Sequence, residues 1–353
     1  MTPLVSILIP AFNSEAWIAD TLRSAIGQSW ERKEIIVVDD GSTDRTAEVA
    51  RSFEPQGVRV VVQKNQGAQV ARNHALSLSK GDYIQWLDAD DLLSSDKIDR
   101  QLSALGPEFN PRTLLSSAWG TFIYRTSRTE FTKTGLWCDL TPLEFMLRKM
   151  EWCVFMQTSV WLVSRELSEA AGPWDVTLAC DQDGEYSCRV LRASESVRFV
   201  PEGKVFYRRG ARSTVSRIGH SNRKLESLWR SKKLHIEYLL SMENSDRTRK
   251  AGIHYLQHYL PSFYPWRPDI IAEMRALAEE LGGSLAEPRM PGKYEWIRRI
   301  AGWEFAKKCQ AYALSSKWSA ISTWDKMMFA IEKRAGAPPT DDSMTRHASS
   351  ARS

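Results

Sequence analysis

The first 125 residues alternate between two hydrophobic periods, and this alternation restricts the fold more than any other feature of the chain. VSILIP (5–10) is a short apolar run rich in β-branched residues, the pattern of a strand buried on both faces. Residues 15–28 follow at helical spacing, with Trp17, Ile18, Leu22, Ala25 and Ile26 as the apolar set. EIIVVDD (34–40) and VRVVVQ (58–63) read as further buried strands. Between them lies a helix reaching about Phe53, which Ser42 or Thr43 can cap. GAQVARNHALSLS (67–79) reads as a third helix, and DYIQWLDADD (82–91) as a fourth strand ending in carboxylates. Such a β-α-β-α-β-α-β series predicts an α/β fold, a mostly parallel sheet flanked by helices, whose ligands bind beyond the carboxyl ends of the strands. The chemically active residues fall there: Pro10 to Asn13 after the first strand, Asp39 and Asp40 after the second, Asp88 to Asp91 after the fourth.

Beyond residue 113 the pattern is mixed. TLLSSAWGTFIYRT reads as strand, 141–150 and 164–171 as short helices, and 181–193 as a helix with Tyr186 and Val190 inward. SVRFVPEGKVFYRR (196–209) reads as a strand pair, and 223–334 as almost wholly helical. The expected organisation is a catalytic domain over 1–217, made of halves 1–125 and 126–217. A helical C-terminal region over 218–334 follows, then a polar, disordered tail over 335–353.

Charge narrows the partners. Residues 1–289 carry 37 Lys+Arg and 37 Asp+Glu, whereas 290–334 carry nine basic and four acidic residues, which accounts for the net charge of +5. A global basic field suited to nucleic acid is absent, so no nucleic-acid partner is expected. The start MTPLVSILIPAFN has no basic region ahead of its apolar stretch, so a secretory signal is not expected. No window approaches the roughly 18 apolar residues of a membrane span. The five cysteines (Cys138, Cys153, Cys180, Cys188, Cys309) form no CxxC pair and read as reduced thiols, with no disulfide framework or zinc site. A cytoplasmic protein is expected.

Three segments carry chemistry. Asp88-Ala89-Asp90, with Asp91 following, crowds carboxylates at a strand end, which a divalent cation would relieve while sharing oxygen ligands with substrate phosphates. The alternative is a cap on the helix predicted in DLLSSDKIDRQL. VVDDGSTD (37–44) sets two acids before a turn glycine, and Asp39 or Asp40 could accept hydrogen bonds from a base or ribose. In isolation a plain strand–turn–helix cap is the favoured reading there. In NQGAQVARNHAL (65–76), Gly67 lets a loop approach a ligand and Arg72 offers a planar donor fork, although a lone helical arginine is usually solvated.

VSILIPAFN, VVDDGSTD, NQGAQVARN and GDYIQWLDADD occur in this order and spacing, and together they resemble the nucleotide-sugar-binding half of the family-2 glycosyltransferases, which have the GT-A fold. The resemblance covers about residues 3–217. It implies transfer of a sugar from a nucleoside-diphosphate sugar, by family habit a UDP-sugar, onto a saccharide or lipid-linked acceptor. The setting it implies is cell-surface polysaccharide or glycoconjugate synthesis. Pro10, Ala11, Phe12, Asn13, Asp40, Gly67 and Arg72 would line the nucleotide site. Asp88, with Ala89, would face the ribose or sugar, and Asp90 would hold the divalent metal, Mn²⁺ or Mg²⁺.

AAGPWDVTLACDQDGEYSCRVL (170–191) looks like the family's Gly-x-Phe-Asp segment followed by its acid pair, with Gln182-Asp183 in place of Glu-Asp. In that register Asp183 matches the catalytic base of an inverting single displacement. Asp181 lies two residues away and would take the role if the register slipped, and either could instead cap the following helix. In YRRGARSTVSRIGH (207–220), Arg208, Arg209, Arg212 or Arg217 could pair with the diphosphate and His220 could complete the metal sphere. In 293–334, Trp296, Trp303, Trp318 and Trp324 alternate with basic residues. One reading is peripheral contact with the inner face of an anionic membrane through 290–334. The preferred reading is a subdomain packed on the catalytic domain through Ile297, Ile300, Ala301 and Phe305.

Rival classes fit less well. A nucleotidyltransferase would carry a glycine-rich basic loop after the first strand, which PAFNSEAW is not. A silent sugar-nucleotide-binding module would not need the DxD together with Asp183. A nicotinamide dehydrogenase would show GxGxxG after that strand, which is absent.

Overall fold

The computed structural model of the chain describes residues 2–106, 110–209 and 221–334. The alternation seen in sequence becomes β1 (Val5–Ala11), α1 (Ile18–Ile26), β2 (Lys33–Asp39), α2 (Thr46–Arg51), β3 (Val58–Val62), α3 (Ala68–Leu78) and β4 (Tyr83–Trp86). These strands pair in parallel in the order β3-β2-β1-β4. β1 runs as an unbroken apolar stretch because both its faces are covered: Val5, Ile7, Leu8 and Ile9 are fully buried. On α1, Ile18, Leu22 and Ala25 recur at helical spacing and are equally buried. The strand order reverses direction at β1, between β2 on one side and β4 on the other, and this switch point leaves a crevice beyond the strand ends.

Two local expectations are corrected here. The strand expected over 82–91 stops at Trp86, and residues 88–91 form a turn closed by the Asp91 amide on the Asp88 carbonyl at 3.1 Å. α2 begins only at Thr46, so Ser42 and Thr43 do not cap it. They are drawn instead to the β1–α1 loop, where Asn13 offers both an amide and a side-chain carbonyl.

The second half adds β5 (Leu92–Leu93), α4 (Lys97–Ser103), β6 (Thr113–Phe122), α5 (Pro142–Glu151), β7 (Val163–Ser164), α6 (Arg165–Ala171), α7 (Gln182–Ala193) and β8 (Ser196–Arg208). β7 closes the first sheet antiparallel to β4, and a second sheet has the order β5-β8-β6. Asp90 and Asp91 therefore precede a short strand, not a helix, and the capping alternative fails. The strand pair expected over 196–209 is a single strand. Val200 faces Ser117 and Lys204 faces Ala118, so residues 201–203 bulge out while β8 pairs with β6 in parallel on both sides.

The C-terminal region is α8 (Asn222–Met242), α9 (Asp246–Phe263), α10 (Pro268–Glu280) and α11 (Lys293–Arg334). α8 packs on α7, and Leu225, Leu228, Ile236 and Leu239 along it are buried. α11 corrects the expected core face: Ile300 is 66% exposed, Phe305 54% exposed, and Ala301 open. Gly302 sits at φ 80°, ψ 172°, which breaks the helical phase, so residues 297–305 no longer share one side. Ala306 is buried instead, with Trp303 against Tyr264 at 5.4 Å and the Lys307 ammonium 2.7 Å from the Tyr264 carbonyl. Farther along, Arg125 pairs with Asp325 (2.7 Å) and Glu332 (2.9 Å). The expected tail over 335–353 lies outside the described residues.

Candidate functional site

The loops at the carboxyl ends of β1, β2 and β3 are stitched together. The Asp40 amide donates to the Ala11 carbonyl (2.8 Å), and the Asn13 amide donates to Ser42 Oγ (2.9 Å). Both oxygens of the buried Asp40 carboxylate accept from the β3–α3 loop: Gln63 Nε2 and the Gln66 amide on one, the Gly67 amide on the other, at 2.8–3.0 Å. Two glycines make this approach feasible. Gly41 (φ 71°) passes so close that a Cβ would lie 2.8 Å from the Asn65 amide nitrogen, and Gly67 (φ 102°) turns the chain into α3. Pro10, Ala11, Phe12, Asn13, Asp40 and Gly67 thus form one continuous rim, on which Phe12 is 48% exposed.

Arg72, on α3, crosses from this rim to the DxD turn. Its guanidinium donates to Asp88 Oδ1 at 2.8 Å and lies over the Trp174 ring at 4.5 Å. Trp174 comes from the GPWD segment, stacks on Tyr186 at 4.2 Å and has its backbone clamped to Asn73. Arg72 Nη1 is buried and has no hydrogen-bond partner among the described residues, an unsatisfied donor within the site.

The acids at the turn divide the labour. Asp91 is fully buried and accepts from the Arg208 amide (2.8 Å) and from Gln157 Nε2, so it braces the turn against β8. Burial, with Asp90 and Asp88, holds its carboxyl well above the usual range. Asp90 is half-buried, and no side chain among the described residues donates to its carboxylate. Burial and then Asp88 push it up to about 7, against the Arg208 charge. Arg208 is a buttress. Its guanidinium packs against the rings of Trp17 (4.1 Å) and Phe122 (4.4 Å) and donates to the Asp90 carbonyl at 2.9 Å. Burial lowers its pKa despite the surrounding carboxylates.

A divalent cation fits this donor set only as a shared ligand. Among the described residues no group of three or more His, Cys, Asp or Glu could hold a metal ion by itself. Asp88 is already paired with Arg72, which leaves Asp90 as the free oxygen donor, its charge unfavourable without a cation. Hard oxygen ligands completed by water and substrate phosphates are what Mg²⁺ or Mn²⁺ accepts.

The two acids ahead of α7 part company. Asp181 adopts φ 56° and turns inward, where Lys232 Nζ and Ser231 Oγ each donate to its carboxylate at 2.6 Å. Burial works against that carboxylate, but Lys232, His235 and Lys149 outweigh it and hold the group well below the usual range. Asp183 lies in the first turn of α7. Its pKa is raised by burial and then by Asp181 and Asp88, with Arg72 acting the other way, so it shares the cleft with the Arg72–Asp88 pair. Tyr207 joins the groups: its hydroxyl is raised by burial and by Asp91, Asp88, Asp90 and Asp183 together. Asp181, the N-cap residue, makes no side-chain capping bond.

Not every expected residue converges. Arg209 lies over the Trp318 ring of α11 at 4.4 Å. Arg212, Arg217 and His220 lie outside the described residues. Arg208, expected as a diphosphate contact, is turned instead onto Trp17, Phe122 and the Asp90 carbonyl. Tyr207 and Trp174 play parts that residue spacing did not single out.

This crevice, with a parallel β3-β2-β1-β4 core, an acid turn at the end of β4 and a second sheet carrying β8, defines a GT-A architecture. Residues 6–168 match the family described as glycosyl transferase family 2, and this part of the chain is a family-2 glycosyltransferase domain. A Haemophilus influenzae glycosyltransferase is 38% identical over 104 residues, covering 29% of this chain and 42% of that protein. A putative teichuronic acid biosynthesis glycosyltransferase, TuaG of Bacillus subtilis, is 42% identical over 103 residues, covering 28% of this chain and 41% of its own length. The chain thus spans about two fifths of either relative. Among solved structures, S. aureus TarS (1–349) in complex with UDP is similar at a TM-score of 0.58 and 14% identity, covering 86% of this chain and 80% of the other. The mannosyltransferase PcManGT from Pyrobaculum calidifontis, in complex with GDP-Man and Mn²⁺, has a TM-score of 0.52 and 18% identity, covering 94% and 87%.

Proposed function

We propose that the chain transfers a sugar from a nucleoside-diphosphate sugar, by preference a UDP-sugar, to an acceptor hydroxyl by an inverting single displacement. The observation that carries this reading is the Arg72–Asp88 pair beside the unengaged Asp90 at the strand-end turn, and the electrostatic coupling of Asp183 to both members of that pair supports it. The rim of Pro10–Asn13, Asp40 and Gly67 receives the nucleotide, and Arg72 Nη1 is free to bind a donor oxygen. Asp90, with Asp88 beside it, would hold a divalent cation, which when bound offsets charge on the departing diphosphate. Asp183 accepts the proton of the acceptor hydroxyl as its oxygen bonds to the anomeric carbon from the face opposite the leaving group. The bond from that carbon to the phosphate oxygen breaks, and its electron pair leaves with the diphosphate. Uridine is favoured by TarS, solved with UDP and with UDP-GlcNAc. The acceptor is a saccharide or a lipid-linked saccharide of the cell surface, as the teichuronic acid relative suggests.

Among the described residues no helix is long and apolar enough to cross a membrane. Peripheral contact through 290–334, from the cytoplasmic side, is part of the same proposal. Tyr312, Trp324, Met327 and Ile331 stand exposed on α11, and the region has a basic excess that suits anionic lipid. Flotation with phosphatidylglycerol vesicles tests it; equal recovery with neutral vesicles would exclude it.

The deciding experiment for the chemistry is a panel of UDP-, GDP- and dTDP-sugars, scored for Mn²⁺-dependent hydrolysis and thermal stabilisation. Hydrolysis of one donor, abolished by chelator, is expected. Absence of both responses across the panel would reject the reading.

A further inference from the structure

Three aromatic side chains form a wall on the second sheet, against the same carboxylates. Trp119 lies on β6 and Tyr207 on β8; Thr121 pairs with Tyr207, so Trp119 and Tyr207 project from one face. Phe155, in the loop between α5 and β7, meets Trp119 edge-on at 5.6 Å and Tyr207 at 5.7 Å, and those two rings are 6.3 Å apart. Loop and strand are both pinned to the acid turn through Asp91, which accepts from Gln157 Nε2 on the loop and from the amide next to Tyr207 on the strand. The wall therefore keeps a fixed position beside Asp88–Asp91. Phe155 still leaves 48% of its surface in solvent, so the cluster is a platform open on one side and not sealed core.

We propose that Trp119, Phe155 and Tyr207 form an acceptor subsite that binds a pyranose ring by stacking. This rests on the glycosyl-transfer reading and names the acceptor class within it. The apolar face of a pyranose presents C–H groups, which suit the electron-rich face of an aromatic ring, while its hydroxyls stay at the edge. A ring lying on the wall keeps those edge hydroxyls near the cleft that holds Asp183. The wall belongs to β6–β8, whereas the nucleotide rim belongs to β1–β3, so the two ligands would approach from different sheets. A polyol phosphate has no comparable ring face and gains little from the platform.

The test uses the full chain with UDP and Mn²⁺, titrated with the methyl glycosides of glucose, galactose, mannose and N-acetylglucosamine, and with glycerol 3-phosphate. Saturation-transfer NMR should show at least one glycoside bound through its ring C–H groups. Phe155→Ala should weaken it about tenfold, the scale of one lost stacking contact. Phe155→Leu, which keeps apolar bulk without the π face, should lose nearly as much. Trp152→Ala removes an exposed aromatic of the same loop, packed over Gly135, and should leave affinity intact. Calorimetry of UDP with Mn²⁺ verifies that each variant is folded. The proposal is overturned if no glycoside binds, if glycerol 3-phosphate binds equally well, or if Trp152→Ala is as damaging as Phe155→Ala. Nucleotide-sugar hydrolysis by the unaltered chain separates the two levels. With hydrolysis present and glycosides unbound, only the subsite falls; with hydrolysis absent, the transfer reading falls as well.

Discussion

Asp181 and Asp183 stand two residues apart, yet the structure predicts opposite phenotypes for their removal. Asp181→Asn leaves the Lys232 ammonium, whose side chain is 4% exposed, without its counter-ion. Breaking one partner of a buried pair costs about 3–5 kcal/mol. Asparagine keeps an acceptor for Ser231, and Asp181 is itself 22% exposed, so the lower end, about 3 kcal/mol, is expected. For a chain of this size that is a fall in Tm of about 4 °C. The pH sign follows from the depressed pKa of Asp181. A carboxylate held below its unfolded value of about 3.9 stabilises fully above that pH and loses its contribution as pH falls through the folded value. The stability gap between the unaltered chain and Asp181→Asn should therefore be constant near neutrality and close in acid. Asp183→Asn removes a charge that burial and Asp181 already disfavour, so its Tm should hold or rise slightly. Its turnover should drop by about 10²–10⁴, with affinity for UDP and Mn²⁺ unchanged, because the base acts on the acceptor. Thermal unfolding from pH 3 to 8 (roughly the range bracketing both states), calorimetry and initial rates separate the cases. A fully active Asp183→Asn beside a stable but dead Asp181→Asn would refute the assignment and move the base two residues upstream.

Asp90→Ala should abolish Mn²⁺-dependent UDP binding while the protein stays folded, which calorimetry and circular dichroism check together. Arg208→Met removes the donor to the Asp90 carbonyl and to Ile123, and should cost about 2 kcal/mol of stability and weaken UDP binding in Mn²⁺, read by denaturant unfolding and calorimetry. Arg125→Met leaves the buried Asp325 unpaired and should release the end of α11, seen as faster proteolysis within 312–331 at nearly unchanged Tm of the rest. Lys307, pushed down to about 8 by burial, binds fewer protons folded than unfolded. Its contribution should therefore rise between pH 8 and about 10.4, and a comparison with Lys307→Met should show that rise vanish.

The strands β1 to β3 were legible because parallel strands covered on both faces must be continuous apolar runs, and VSILIP, EIIVVDD and VRVVVQ are that. The DxD position was legible for the same reason: a topology implied by alternation already says where strand ends meet. What the acids do was less visible. Asp88, Asp90 and Asp91 are near neighbours in sequence, yet one pairs with Arg72, one is unengaged and one braces β8; nothing local distinguishes them. Phe155 joins Trp119 and Tyr207 from a loop outside both strands, so no periodicity could group these rings. α11 misled because its phase depends on the φ of Gly302, which a sequence does not display.

A boundary of the catalytic unit at 217 follows naturally from the last strand and the family motifs. Yet α8, which begins at Asn222, reaches α7 and the segment ahead of it at three points. Ser227 Oγ accepts from the amides of Ala179 and Cys180, Lys232 and Ser231 hold Asp181, and Tyr238 donates to Glu185 at 2.8 Å. Glu185 in turn forms a bidentate pair with Arg189, whose guanidinium also donates to the Ala171 and Gly172 carbonyls. The first turn of α7, and with it Asp183, is therefore oriented from behind by a helix that carries no family motif. Lys232 matters most among these ties, because it is the charge that holds the Asp181 carboxylate in its inward-turned position at positive φ. Physically, α8 belongs to the machinery that aims the proposed base. α11, farther along, keeps Tyr312, Trp324 and Ile331 exposed and is tied back through the Arg125–Asp325 pair.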